Sequence, residues 1–551
     1  MQILIKRKVD GPSVPELGTP TSVTFDSITV PLNRASTGPA ALAQYELQRS
    51  LDGSTWSTIA TGPSIFGNPP VQFVDGGRIA LTTYYYRARA LDVAGRASGY
   101  SATVSATTAA TIAPSTALVY PRVATYWIGS PHNYENPAYQ AGAARFDLVI
   151  WNNWETWGQG RAMSYAQACA NVKALNPAVK LFQYSNHYDV IAAPGGTGFV
   201  LENTLDAQNW WLRASWPNGE KIIEGFYPGW LANALLNRPN KLNGQDYIEW
   251  LMSTYTRDMF VNGVYSNLYG RPQANPHIDG IFYDNIFIKP RHSGDWYTNG
   301  SSVNQSDVAL GTAFREAIRA GYQAHRAMLP AFSTFGNNSE STLGYNPHNL
   351  PTPIPEYVGV MDFGLVENHT GASYSTDEWG STAQLLSAIK IHAANLTDPS
   401  GQFCVGTRRH TLTSRNYQDF RYSFSVALCG SDGYVGYSDH TVDSWGSSDG
   451  YNRTAQFFDE YDNAGTQRYY LGVAENAVVT AAWQSGVYLR RFQNGWVLLN
   501  PKGNGTRTVN LGQTMRKLQG RSGFSDTTVN NGAQVTSVTL QDRDGLVLLK
   551  V

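Results

Sequence analysis

The sequence predicts a multidomain chain: an antiparallel β-sandwich, a central (β/α)8 TIM barrel and a C-terminal β-sandwich. Three observations point there. At 551 residues the chain exceeds one ordinary domain. Through its middle, eight short apolar runs alternate with segments of helical spacing, the pattern of parallel strands covered by helices. On either side, apolar and polar residues alternate with a period of two between DG, AG and NG turns, which marks short antiparallel strands.

Residues 1–15 read as an N-terminal arm. The opening MQILIKRKVDGPSVPELG has an apolar stretch far shorter than a signal-peptide core and no small-residue cleavage site. Residues 16–110 form the first domain, in which SVTFDSITVPL, QYELQRSLDGSTWSTIATG and TTYYYRARALDVAGRASGYSATVSATT supply the strands. This stretch resembles a fibronectin type III module, most specifically in YYYRARALDVAGRAS, although the early-strand Trp common in that family is missing. The resemblance implies a spacer or docking piece with no chemistry of its own. A Thr/Ala/Pro linker, TTAATIAPSTA, follows.

The barrel is expected over 118–465. Its strands are TYWIG (125–129), FDLVIW (146–151), KLFQYSN (180–186), GIFYDN (280–285), AFSTFGN (331–337), DFGLVEN (362–368), QFCVGT (402–407) and DGYVGY (432–437). Between them SYAQACANVKALNP, GTAFREAIRAGYQAHRAML and STAQLLSAIKIHAANL carry helical spacing. An open doubly wound sheet is the competing topology, but no GxGxxG or GxxxxGK loop follows the first strand. Residues 468–551 return to short strands, in GVYLRRFQNGWVLLNPKGNGTRTVNL and VTSVTLQDRDGLVLLKV.

Composition narrows the function. With 41 basic and 42 acidic residues, there is no electrostatic reason to expect nucleic acid or an anionic membrane as partner. No run approaches the length of a membrane span, so no membrane insertion is expected. Cys169, Cys404 and Cys429 lack CxxC spacing and make neither a disulfide framework nor a zinc site. No HExxH or clustered His/Asp set calls for a metal, and no GxSxG elbow for a serine hydrolase; no cofactor is expected. The 15 Trp, 32 Tyr and 21 Phe suit either sugar-binding surfaces or aromatic cores. Trp210, Trp211, Trp216, Tyr227 and Trp230 crowd one excursion between strands three and four, where some are core and others would line a groove.

In such barrels the reactive groups stand at the C-terminal ends of the strands. The rim expected here comprises Trp151, Asn152 and Asn153; Tyr184, Asn186 and His187; Asp284 and Asn285; Asn337 and Asn338; Glu367, Asn368 and His369; Arg408; and Tyr437 with Asp439. Asp284 and Glu367 occupy equivalent places on strands four and six. Asp279 and Asp362 precede them by five residues, roughly 16 Å of strand, and belong at the opposite rim. Two carboxylates across a sugar-sized gap suffice for glycoside hydrolysis, one donating a proton and the other attacking or activating water. Taken singly, either acid could equally cap a helix or pair with Arg408.

The strand order, DGIFYDN on strand four and FGLVEN on strand six resemble the α-galactosidase superfamily, and especially its hypothetical glycoside hydrolase-like bacterial relatives. The resemblance covers roughly 118–551, its C-terminal part resembling the β-sandwich that often follows a glycosidase barrel. It implies that Asp284 is the nucleophile and Glu367 the general acid/base. A retaining route is favoured, and the rim supplies Trp151, Asn152, Tyr184, Asn186, His187, Asn285, Asn337, Arg408 and Tyr437 as substrate-binding candidates. A Glu on strand six, where many members have Asp, is a departure. The expected activity is hydrolysis of a polysaccharide or cell-surface glycan. Together with the fibronectin-like spacer, it fits an extracellular or virion-associated phage tail depolymerase that docks to other tail proteins through its N-terminal region. A non-catalytic carbohydrate-binding tail or adhesion protein on the same scaffold is the alternative.

Overall fold

The computed structural model describes residues 11–20, 27–38, 40–63, 65, 72–76, 82–108, 118–127, 134–151, 163–186, 189–191, 200–213, 220–221, 229–236, 240–263, 274–288, 295–298, 301–304, 308–338, 354–373, 375–409, 411, 416–438 and 457–551. Its contacts divide the chain into two units, Met1–Ala117 and Leu118–Val551.

The first unit holds two antiparallel sheets. One has the order Glu16–Leu17, Ser27–Arg34, Gln72–Gly76; the other has Ser57–Gly62, Leu42–Ser50, Thr83–Asp92, Val104–Thr107. Burial alternates strictly along Thr83–Asp92. Tyr84, Tyr86, Ala88 and Ala90 therefore share a core with Ile28, Val30, Leu32, Tyr45 and Leu47. The buried Asp75 is compensated by the Tyr86 hydroxyl at 2.7 Å and by Arg49 at 2.9 Å.

In the second unit eight parallel strands follow one another in sequence order. They are β1 (Ala124–Trp127), β2 (Leu148–Trp151), β3 (Lys180–Asn186), β4 (Gly280–Asp284), β5 (Ser333–Asn337), β6 (Phe363–Glu367), β7 (Gln402–Thr407) and β8 (Tyr434–Ser438). Each overlaps one of the eight predicted runs. The barrel is nearly closed: Val123 bridges Val435 in parallel, and the Val435 N–H donates to Arg122 O at 2.9 Å. The interior is aromatic. Phe182, Phe282, Phe335, Phe403 and Tyr434 pack there, with Phe182 and Phe282 each 5.1 Å from Phe335 in edge-on contact. Such rings need room. A Cβ on Gly280 would lie 2.2 Å from Ser333 O and 2.5 Å from the Phe182 ring, so only glycine opens β4.

The outer layer includes α1 (Tyr165–Leu175), α2 (Val308–Met328), α3 (Thr382–Ala393) and α4 (Tyr417–Gly430). The first three fall on the predicted helical segments. Ser164 caps α1, and Ser381 with Gln384 forms a capping box on α3. Ahead of β4 the chain winds as a π-helix over Leu251–Tyr255 and Arg257–Val261, which the sequence pattern did not reveal. Tyr283, on the outer face of β4, donates to Met252 O in that segment at 3.1 Å.

At the N-terminal ends of the strands, three aspartates perform one task. Asp147, Asp279 and Asp362 each stand just before an even strand and accept the backbone N–H of Val123, Leu181 and Thr334 on the preceding odd strand, at 2.7, 2.7 and 2.9 Å. Lys173 and Arg326 neutralise Asp279 and Asp362, at 2.6 Å in both cases. The two aspartates expected at the far rim thus tie strands together, and Asp147 joins them.

Beyond the barrel, β9 (Tyr488–Phe492), β10 (Gly495–Asn500), β11 (Arg507–Lys517), β12 (Gln534–Leu540) and β13 (Asp544–Lys550) form one antiparallel sheet, ordered β9-β10-β13-β11-β12. Where a two-sheet sandwich was expected over 468–551, the strands from Tyr488 to Lys550 form this one sheet, whose register shifts between Asn510 and Met515 of β11, and Gly472–Val473 pairs instead with Val119–Tyr120. Every residue of β10 is buried, as are the first six of β13. Val497, Leu499, Val547 and Leu549 join the barrel-side core, while Leu498, Leu546 and Leu548 belong to the sheet's own. Gly545 lets the sheet approach α4, since a Cβ there would lie 2.4 Å from Arg421 O. Buried ion pairs complete the joint: Arg421 with Asp544 at 3.0 Å, and Arg543 with Asp377 at 2.9 Å and with Asp419.

Near this joint lies Glu460, wholly buried, with Oε1 accepting from Ser525 at 3.0 Å and Asn530 at 2.7 Å. Burial pushes its carboxyl up from 4.5 to about 7. The folded state therefore retains a proton that the unfolded chain has released, and this contribution is full below the unfolded value and lost as pH rises through about 7. Glu460→Gln should remove that loss: its melting temperature should gain on that of the wild type as pH rises from about 5 to about 8. Parallel Tm–pH profiles for the two proteins would show that Glu460 stays ionised throughout.

Candidate active site

The period of two along each strand decides which side chains enter the barrel. On β3 these are Phe182, Tyr184 and Asn186; on β4 Phe282 and Asp284; on β5 Phe335 and Asn337; on β6 Phe363, Leu365 and Glu367. Register brings their upper ends together, since Asn186 pairs with Asp284 and Tyr283 with Gly336. On the next pair Asn337 lies opposite Leu365, so Glu367 stands two residues further along β6.

Asp284 is half-buried, and among the described residues three donors hold it. Its Oδ1 accepts the Asn285 N–H at 2.8 Å and the Asn337 side-chain amide at 2.8 Å, and its Oδ2 accepts the Tyr184 hydroxyl at 2.7 Å. The same Asn337 Nδ2 donates to Glu367 Oε2 at 2.7 Å. Those two carboxylate oxygens can therefore be no further apart than the sum of the two bonds, 5.5 Å. A backbone bond also joins the ends of β4 and β5, where Asn337 O accepts the Ile286 N–H at 2.9 Å.

Each acid is followed by an asparagine in the left-handed region, Asn285 at φ 62° and Asn368 at φ 49°. Asparagine tolerates this conformation better than most residues, and it turns the chain away immediately beyond the carboxylate. The repeated acid–Asn pair in YDN and VEN is a sequence signal for this arrangement, and FGN on β5 places its asparagine between them.

The structure thus gathers Asp284, Glu367, Tyr184, Asn285 and Asn337, with Asn186 on the same face. Other expected site residues lie elsewhere. Trp151 is 1% exposed and belongs to the outer core, where it stacks on Tyr134 at 4.5 Å. Leu148 and Ile150 take the inward positions of β2, which turns Trp151 outward. Tyr437 likewise alternates with the inward Tyr434; it meets Phe420 of α4 edge-on and donates to Asp419 at 3.0 Å. Arg408 is 9% exposed just beyond the end of β7, where its backbone N–H donates to Ser438 O at 3.3 Å. His369 is buried against Ser423 O at 3.1 Å, and burial lowers its pKa to about 4. Asn338 is also buried, its Oδ1 bonded to His392 at 2.7 Å. Asn152, Asn153, His187 and Asp439 lie outside the described residues.

In the aromatic excursion Trp210 and Trp211 are fully buried core residues, while Trp216, Tyr227 and the Trp230 side chain lie outside the description. The cysteines are buried, and burial raises the thiols of all three to about 12. Among the described residues no cluster of three or more His, Cys, Asp or Glu could hold a metal ion, and no helix is long and apolar enough to cross a membrane.

The sequence profile of hypothetical glycosyl hydrolase family 15 matches residues 173–496, more than half of the chain and all of β3 to β8. The chain belongs to hypothetical glycosyl hydrolase family 15. No curated protein matches it. Among solved structures, the sixth fibronectin type III domain of human fibronectin type III domain containing protein 3 is 22% identical over 19% of this chain and 94% of that domain, with a TM-score of 0.17. A β-1,2-glucanase from Parabacteroides distasonis is 19% identical over 25% of this chain and 16% of the enzyme, with a TM-score of 0.16. At such scores neither likeness bears on this family member's fold or activity.

The placement of Trp151 has a measurable consequence. Trp151→Phe should cost about 1–2 kcal/mol of stability through lost packing, read by urea denaturation. Stability equal to that of the wild type would take Trp151 out of the core.

Proposed function

We propose that this protein hydrolyses a glycosidic bond in a polysaccharide, with Asp284 as nucleophile and Glu367 as general acid/base. The observation that carries the reading is one amide nitrogen bonded to both carboxylates, which limits their two facing oxygens to 5.5 Å. A double-displacement, retaining glycosidase needs its carboxyl groups about 5–5.5 Å apart, whereas an inverting one leaves about 6.5–9.5 Å for a water. Family membership supports the reaction class, and the resemblance of DGIFYDN and FGLVEN to the α-galactosidase superfamily supports the assignment of roles.

In this scheme Asp284 attacks the anomeric carbon while Glu367 protonates the departing glycosidic oxygen. Glu367 then takes a proton from water, which cleaves the glycosyl ester and frees Asp284. Tyr184 and Asn285 hold the Asp284 carboxylate in one plane, and Asn186 faces the sugar. A small antiparallel module ahead of a glycosidase barrel suits a phage tail depolymerase acting on a cell-surface glycan, the first unit docking to other tail proteins.

Incubation with bacterial capsule and cell-wall glycans should release new reducing ends. Asp284→Asn and Glu367→Gln should each keep the fold and lower turnover by about 10³-fold or more. Azide should restore cleavage of an activated aryl glycoside by Glu367→Ala, because a small anion replaces the water that Glu367 activates. Wild-type turnover in both acid variants would overturn the assignment. Glycan binding without any release of reducing ends would make the chain a non-catalytic binder. A chain beginning at Leu118 should turn over at the full rate, since both acids and their donors lie beyond that point; a folded, inactive truncation would assign the first unit a part in the site.

A further inference from the structure

We infer that Asn337 is a positioning residue that serves the two acids in turn, following the negative charge from one to the other. The inference rests on the catalytic reading of Asp284 and Glu367. Asn337 is 9% exposed at the end of β5, between the strands that bear the acids. Its Nδ2 lies 2.8 Å from Asp284 Oδ1 and 2.7 Å from Glu367 Oε2. Two carboxylates are acceptors when ionised, so the amide must face them with its NH2, one hydrogen to each.

The shared donor fixes where the catalytic proton sits. Glu367 Oε2 accepts from Asn337, so in this scheme Oε1 carries the proton that Glu367 gives to the leaving oxygen. In the first step the Oε1–H bond breaks and the proton passes to the glycosidic oxygen, while Asp284 forms a bond to the anomeric carbon. Asp284 thereby loses its negative charge to the ester, and Glu367 gains one. An N–H bond to an ionised oxygen is roughly twice as strong as one to a neutral oxygen. Asn337 therefore loosens from Asp284 as it tightens on Glu367, and its NH2 faces one negative charge throughout. The second step reverses the exchange. No proton moves through the amide.

Three measurements test this. Asn337→Ala should lower kcat by about 10²-fold, the effect of losing one well-placed donor at a developing charge, with KM changed little. Both limbs of its kcat/KM–pH profile should move to higher pH, because each acid loses a donor to its charged form. Carboxyl ¹³C NMR titration of the two acids should show the same upward movement without any substrate. Asn337→Ser, which keeps a single donor, should lie between the wild type and Asn337→Ala, and it stands in should Asn337→Ala fail to fold. Turnover and titration midpoints as in the wild type, with Asp284→Asn and Glu367→Gln inactive, would overturn this inference alone. Full activity in the two acid variants would instead remove the catalytic reading beneath it.

Discussion

The second unit depends on one geometric constraint: eight parallel strands in register, each presenting every second residue to a common interior. Aromatic rings fill that interior at mid-height, and Gly280 is the position where the backbone must give way to them. Above the rings, the inward positions include Tyr184 of β3, Asp284 of β4, Asn337 of β5 and, beyond Leu365, Glu367 of β6. None of these side chains could reach another from a neighbouring register, because a slip by one residue would turn it to the helix layer. The hydrogen bonds among them follow from that alignment.

The same constraint divides the acidic residues into two kinds. Asp147, Asp279 and Asp362 at the lower ends are consumed by structure, each accepting a backbone N–H at the foot of a neighbouring strand. Asp284 and Glu367 at the upper ends accept from side chains and from a left-handed turn instead. The C-terminal sheet braces this upper end from outside. Arg543 reaches Asp377 and Asp419, and Asp419 also accepts from Arg409 N at 2.8 Å and from Tyr437 at 3.0 Å, at the ends of β7 and β8. With one partner removed, the other buried charges of such a cluster would be left unpaired, which is the costly case.

Much of this was legible in the sequence. The eight runs were visible because parallel strands buried on both faces are apolar throughout, and the acids stood out because a carboxylate is rare where such a strand ends. Asp279 and Asp362 could be assigned to the far rim from the length of a strand alone. The C-terminal strands were also visible by alternation, but the number of sheets they make was not, since that depends on where β11 shifts register and which faces α4 covers.

By itself the sequence determined the succession of elements and the two ends of each barrel strand, because periodicity and strand length are local properties. Only the tertiary structure decided which rim residues face the pocket. Trp151 and Tyr437 look as suitable for sugar binding as Tyr184, yet they fall on outward positions, since inward and outward are defined by pairing with strands far away in sequence. The same holds for Asn337. Its type and place could be read from FGN, but its role required β4 and β6 to be brought to either side, within 2.8 Å of one nitrogen.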